Sequence, residues 1–139
     1  MIDVTKHRLS LVAPLLYMMA LLGLSSMAGT IPDEARGTYR IVVWLPPGLQ
    51  NLLHVPAYAG LAFLWHWSLK ARLRPALVPV AAFLFTMAYS ISEEWYQSFV
   101  PGRYASLTDV LLDCIGACVG VLAFRWASRA VARRSTDAD

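Results

Sequence analysis

Charge is scarce in this chain. Lys, Arg, Asp and Glu make up 15% of its 139 residues while 58% are hydrophobic, and the mean hydropathy is +0.51. An ordinary soluble domain is roughly 25% charged, so a soluble enzyme or soluble binding module would lack the polar surface it needs. Cysteine is scarcer still, with Cys114 and Cys118 alone. Four apart in one apolar run, two thiols are poor disulfide partners and too few for a metal centre. They read as small packing residues, and neither a cofactor nor a metal site is expected. Internal repeats, low-complexity tracts and nucleic-acid-binding motifs are lacking too. The pI near 9.1 therefore does not point to nucleic acid. The basic residues sit in short clusters flanking apolar runs, which reads as membrane topology and mild attraction to anionic headgroups. One domain, 1–139, fills the length.

What is present is four long apolar runs, at about residues 9–28, 49–69, 75–99 and 107–127. Each approaches the roughly 20 residues with which a helix crosses about 30 Å of hydrocarbon. Closed barrels would need many short alternating strands, which are not here. The expected fold class is all-α, a four-transmembrane-helix bundle in the cytoplasmic membrane. The first run also resembles a signal peptide, with Lys6, His7 and Arg8 as a basic flank and Ser26-Met27-Ala28 as a candidate cleavage site. Its length and the three runs that follow favour a retained helix.

Orientation follows from Lys and Arg. Nine of the twelve lie at the N-terminus (Lys6, Arg8), in the link between runs two and three (Lys70, Arg72, Arg74) and at the C-terminus (Arg125, Arg129, Arg133, Arg134). Arg36, Arg40 and Arg103 lie on the other side. The positive-inside rule places both termini in the cytoplasm. Trp65, His66, Trp67 and Trp126 are expected at the inner interface, Trp95 and Tyr96 at the outer one. The loop at 29–48 is expected outside, with the apolar stretch Tyr39–Leu45 in the headgroup region and Pro46-Pro47-Gly48 breaking the chain before run two. Gly116 and Gly120 form a Gly-x-x-x-Gly suited to close helix packing.

On this topology the polar residues converge. His54 lies one turn inside the outer end of run two, with Tyr58 one turn deeper on the same face. Glu94 and Gln97 are i, i+3 at the end of run three, with Ser90 on the face of Glu94. Arg103 lies in the link, and Asp109 and Asp113 are i, i+4 at the start of run four. Ser25 and Ser26 at the end of run one either hydrogen-bond into this cluster or simply end the helix. Ionisable groups within hydrocarbon cost roughly 2.5–3.5 kcal/mol each on insertion scales, so they face the bundle and find partners. The cluster is a candidate ligand site. The competing reading is structural: Arg103 and His54 pair with the carboxylates to lock the link, and Asp109 satisfies a helix N-terminus capped by Ser106 or Thr108.

Glu94-x-x-Gln97, Pro101-Gly102-Arg103, Ser106-x-x-Asp109 and the glycine-bearing helix after them, together with the upstream His54-x-x-x-Tyr58 and Leu24-Ser25-Ser26, resemble the VanZ-like family over most of the chain. The chain departs from that pattern in having Gln50 and Asn51 where the family often has Asp-Lys, and Asp113 where it often has Asn. The resemblance implies a bacterial membrane protein of the cell envelope, in a family named for a protein linked to teicoplanin resistance. It supplies no reaction.

Three functions fit. The first is an envelope protein whose site of His54, Tyr58, Glu94, Gln97, Arg103, Asp109 and Asp113 binds an anionic lipid or peptidoglycan-precursor group and contributes to glycopeptide tolerance. The second is an intramembrane hydrolase or transferase using the same His, Glu and Asp groups, with His54 or Glu94 as general base. The third, a transporter, ranks last because the inner halves of the runs are nearly free of ionisable residues.

Overall fold

The computed structural model describes residues 4–26, 51–101 and 103–136. They contain four helices and no strand: α1 (Val4–Ser25), α2 (His54–Leu69), α3 (Val78–Gln97) and α4 (Leu107–Thr136). The loop expected at 29–48 lies outside the described residues, as do Met27 and Ala28 of the candidate cleavage site. Local sequence explains several helix ends. Pro56 and Pro79 fall in the first turns of α2 and α3, where a backbone N–H has no intrahelical acceptor to lose. Ser106 caps α4 by accepting the Asp109 N–H at 3.3 Å. Asp109 itself puts a carboxylate in the first turn, favourable next to the helix dipole.

Within α4, the 25 residues Leu107–Val131 are long and apolar enough to cross a membrane. Among the described residues no other helix meets that standard; α1 carries a shorter apolar stretch, Ser10–Ser25. The helices bury polar groups and expose apolar ones. Met19, Leu84, Leu111 and Leu122 lie largely open on the bundle's outside, while Ser90, Thr86 and Asp113 are fully buried.

Helix α2 is central. It packs on all three others, whereas α1 packs on α2 and α3, with no contact to α4 among the described residues. The core around it contains Leu61, Ala62, Val78, Ala82 and Ala117. Contact between α2 and α4 is close because α4 presents glycines there. A Cβ added at Gly120 would run into the Ala59 carbonyl, and one at Gly116 into the Val55 carbonyl. The Gly-x-x-x-Gly thus serves helix packing, as expected.

The central position of α2 also covers two of the residues expected near the inner interface. Trp65 and His66 are buried. They lie about 100° apart around the helix, and each meets a neighbour: Trp65 stacks on Phe85 with centroids 4.9 Å apart, and His66 on Phe124 at 4.4 Å. Trp67, Trp95, Tyr96 and Trp126 remain exposed. Near the end of α2, the Arg72 guanidinium donates to Ser10 Oγ at 2.8 Å and to the Ser68 carbonyl at 2.5 Å, tying α1 to the α2–α3 link.

Gly120→Val should lower the stability of the detergent-solubilised protein by about 1–3 kcal/mol, the usual cost of overpacking, because backbone rather than a flexible side chain blocks the new atoms. Gly23→Ala is the control, since nothing lies within 4 Å of a Cβ there. Thermal unfolding of the two variants checks this; equal midpoints would show that the α2–α4 contact is not tight.

Candidate functional site

One end of the bundle, where α1 and α3 finish and α2 and α4 begin, is polar inside. Its foundation is a stripe on α3. Thr86, Ser90, Glu93 and Gln97 recur at i, i+4, i+7 and i+11, so they share one face, and all are buried. A stripe normally filled by Leu or Val here carries hydroxyl, carboxylate and amide groups, each of which needs a hydrogen-bond partner once removed from water.

Partners come from every other helix. Glu93 accepts hydrogen bonds from Ser25 Oγ of α1 on one oxygen and from Tyr58 Oη of α2 on the other. Gln97 Nε2 donates to the same Ser25 Oγ at 3.4 Å. Asp113 of α4 is fully buried and accepts from Ser90 Oγ at 2.6 Å. Its other oxygen lies 2.8 Å from His54 Nδ1. A carboxylate can only accept, so Nδ1 of His54 carries a proton, and in the neutral ring Nε2 holds the lone pair. The rings of His54 and Tyr58, one turn apart on α2, are nearly parallel at 3° with centroids 6.1 Å apart. Two adjacent networks result: Gln97, Ser25, Glu93 and Tyr58 in one, and His54, Asp113 and Ser90 in the other.

Glu94 has a different task. Its carboxylate accepts the Ser106 N–H at 2.7 Å, pinning the link between α3 and α4 at the residue that caps α4. Asp109, in the first turn of α4, has a buried Oδ1 with no partner among the described residues.

A cavity of about 210 Å³ opens among these groups. His54, Tyr58, Gln97, Arg103 and Asp109, five of the seven expected site residues, line it, together with Ser25 and Glu93. The other two do not: Glu94 turns to the link, and Asp113 lies behind His54. Glu93 is the residue that sequence reasoning left out of the site. Adjacent positions 93 and 94 fit the Ser90 and Gln97 spacing equally well, as i+3 or i+4, so periodicity cannot choose between them. The signal available in the sequence was the longer stripe through Thr86, which favours Glu93. Ser25 does bond into the cluster, the first of the two roles open to it. Ser26 contacts Tyr96 Oη at 3.1 Å and also donates to the Leu22 carbonyl. Among the described residues, no three His, Cys, Asp or Glu side chains converge as metal ligands.

The cavity lining thus combines the Arg103 cation, the Gln97 amide and the His54 imidazole. No curated protein and no solved structure matches the chain. A family model described as VanZ/LLP1 matches residues 8–128, a range that contains the whole of this polar end, and the chain belongs to the VanZ/LLP1 family.

Proposed function

We propose that the protein is a four-span protein of the bacterial cytoplasmic membrane, with both termini inside, whose cavity faces outward and binds an anionic group of a lipid or a peptidoglycan precursor. The observation that carries this reading is the cavity itself, which Arg103 lines together with His54 and Gln97. A guanidinium matches phosphate or carboxylate with two parallel hydrogen bonds.

Support for the four spans is the inverted distribution of side chains, apolar outside and polar within, which suits hydrocarbon surroundings rather than water. The lengths are compatible. The 20 residues of α3 rise about 30 Å, and the 16 of α2 rise about 24 Å before the helical residues Asn51 and Leu52 are added. Orientation rests on the distribution of Lys and Arg. Glycopeptide tolerance is the cellular counterpart of this reading, because a protein that holds an outer-leaflet precursor group alters what a glycopeptide meets there.

Topology is checked by labelling intact cells with a membrane-impermeant maleimide, in a background carrying Cys114→Ala and Cys118→Ala. Tyr104→Cys, in the α3–α4 link, should be labelled from outside, and Ala71→Cys, in the α2–α3 link, only after the cells are opened. Labelling of both from the same side would mean that α3 does not cross.

Ligand binding is checked with purified protein titrated with short-chain phosphatidylglycerol and, separately, with a lipid-linked peptidoglycan precursor. Arg103→Ala should weaken binding of one of them by about 10-fold or more, since a hydrogen bond to a charged group contributes about 1.5–3 kcal/mol. Arg103→Lys should recover only part, as it keeps the charge but loses the planar fork. Undiminished affinity in Arg103→Ala, at unchanged expression, would remove Arg103 from the site.

A further inference from the structure

His54 is more than a wall of the cavity. Three features set it apart. Its Nδ1 is held at 2.8 Å by a carboxylate that is itself fully buried. That carboxylate is in turn fixed by Ser90 at 2.6 Å, so the imidazole is held in one orientation with its Nδ1 proton directed at Asp113. The side chain keeps 20% of its surface exposed, and it lines the cavity. With Nδ1 turned to Asp113, the edge bearing Nε2 is the part left to face that space. An oriented base, a group that orients it, and an open volume beside it are the parts of a general-base site.

A second feature points to what occupies the volume. Arg103 lines the same cavity, and a guanidinium matches phosphate oxygens in geometry and charge. The lipid and precursor groups proposed above carry such phosphates in phosphoester bonds.

We infer that the protein hydrolyses a phosphoester bond in such a headgroup, with His54 as general base and Asp113 as its positioning residue. This rests on the binding reading above. His54 Nε2 takes a proton from water, and the water oxygen bonds to phosphorus. The bond from phosphorus to the leaving oxygen breaks; that oxygen takes a proton from a second water, and the hydroxide left is neutralised by the proton the imidazolium releases. One water is consumed, giving an alcohol and a phosphate-bearing product, with no oxidant or second substrate. Arg103 holds the phosphate oxygens and balances charge as it gathers on them. Asp113 favours the imidazolium that forms transiently. Glu93 is excluded as the base because both of its oxygens are engaged by Ser25 and Tyr58.

The test uses the full chain reconstituted separately in phosphatidylglycerol–phosphatidylcholine vesicles and in vesicles carrying a lipid-linked pyrophosphate precursor. Lipid retention is read by native mass spectrometry, and cleavage products by chromatography with mass detection. Wild-type protein should release product from one of the two. His54→Ala should retain that lipid within about twofold while releasing product about 100-fold more slowly or worse, the scale of general acid–base catalysis. Added imidazole should restore part of the rate, because the lost ring leaves room beside the cavity. Asp113→Asn, which can still accept from Nδ1, should lower kcat and leave KM nearly unchanged. Retention by wild-type protein without cleavage of either lipid would overturn the hydrolytic assignment and leave the binding reading standing. Absence of retention would overturn the binding reading itself. Full-rate cleavage by His54→Ala would take the base role away from this residue.

Discussion

Two carboxylates, Glu93 and Asp113, are buried where the helices meet, and both need hydrogen-bond donors there. Leaving a buried charge with no partner costs about 3–5 kcal/mol. The donors that meet this demand come from different helices: Ser25 from α1, His54 and Tyr58 from α2, Ser90 from α3. Each carboxylate thus fixes the relative depth and rotation of the helices that serve it. A slide of one residue along any helix axis, about 1.5 Å, would break several of these bonds together. That specificity is the structural benefit of polar groups in a bundle interior.

The glycines of α4 belong to the same constraint. Gly116 and Gly120 lie three and seven residues after Asp113, on the face that Asp113 presents to α2. They let the backbone of α4 approach Val55 and Ala59 closely, which brings Asp113 within 2.8 Å of His54 Nδ1. A wider spacing would leave a fully buried carboxylate short of a donor. Glu94 completes the assembly from the other side by holding Ser106, the residue that caps the same helix. The polar end is therefore a scaffold as well as a cavity. Glu93, Glu94 and Asp113 tie the helices and the link together, while His54, Gln97, Arg103 and Asp109 line the open volume.

At the opposite end the pattern differs. Trp65 and His66 stack on aromatic neighbours rather than forming a polar network, and Arg72 crosses from the α2–α3 link to Ser10 of α1. Lys70 sits over the Phe124 ring at 5.4 Å, an arrangement favourable for a cation against an aromatic face. The exposed basic groups Arg125, Arg129 and Arg133 lie in the C-terminal turns of α4, the last of them past its apolar stretch. The chain concentrates buried carboxylates at one end and cationic groups at the other, an asymmetry that suits a protein held across a charged interface.

The four helices, the family and the place of the polar end were all legible in the sequence, because they depend on local quantities: run length, charge spacing, capping at Ser106 and motif order. The role of the glycines was legible for the same reason, since lack of a side chain is a property of the residue alone. Which groups meet was not legible. Glu93 and Glu94 are neighbours in sequence with equivalent spacing to Ser90 and Gln97, and only the packing of α1 and α2 on α3 sends one carboxylate into the bundle and the other to the link. Trp65 and His66 end an apolar run, and nothing in that run shows whether they face outward or into the bundle. They are buried because α2 is covered by the three other helices, a fact that no stretch of α2 encodes. Helix existence and polarity follow from residues close together in the chain; the partners of each buried carboxylate follow from contacts 23 to 68 residues apart, which the tertiary structure alone decides.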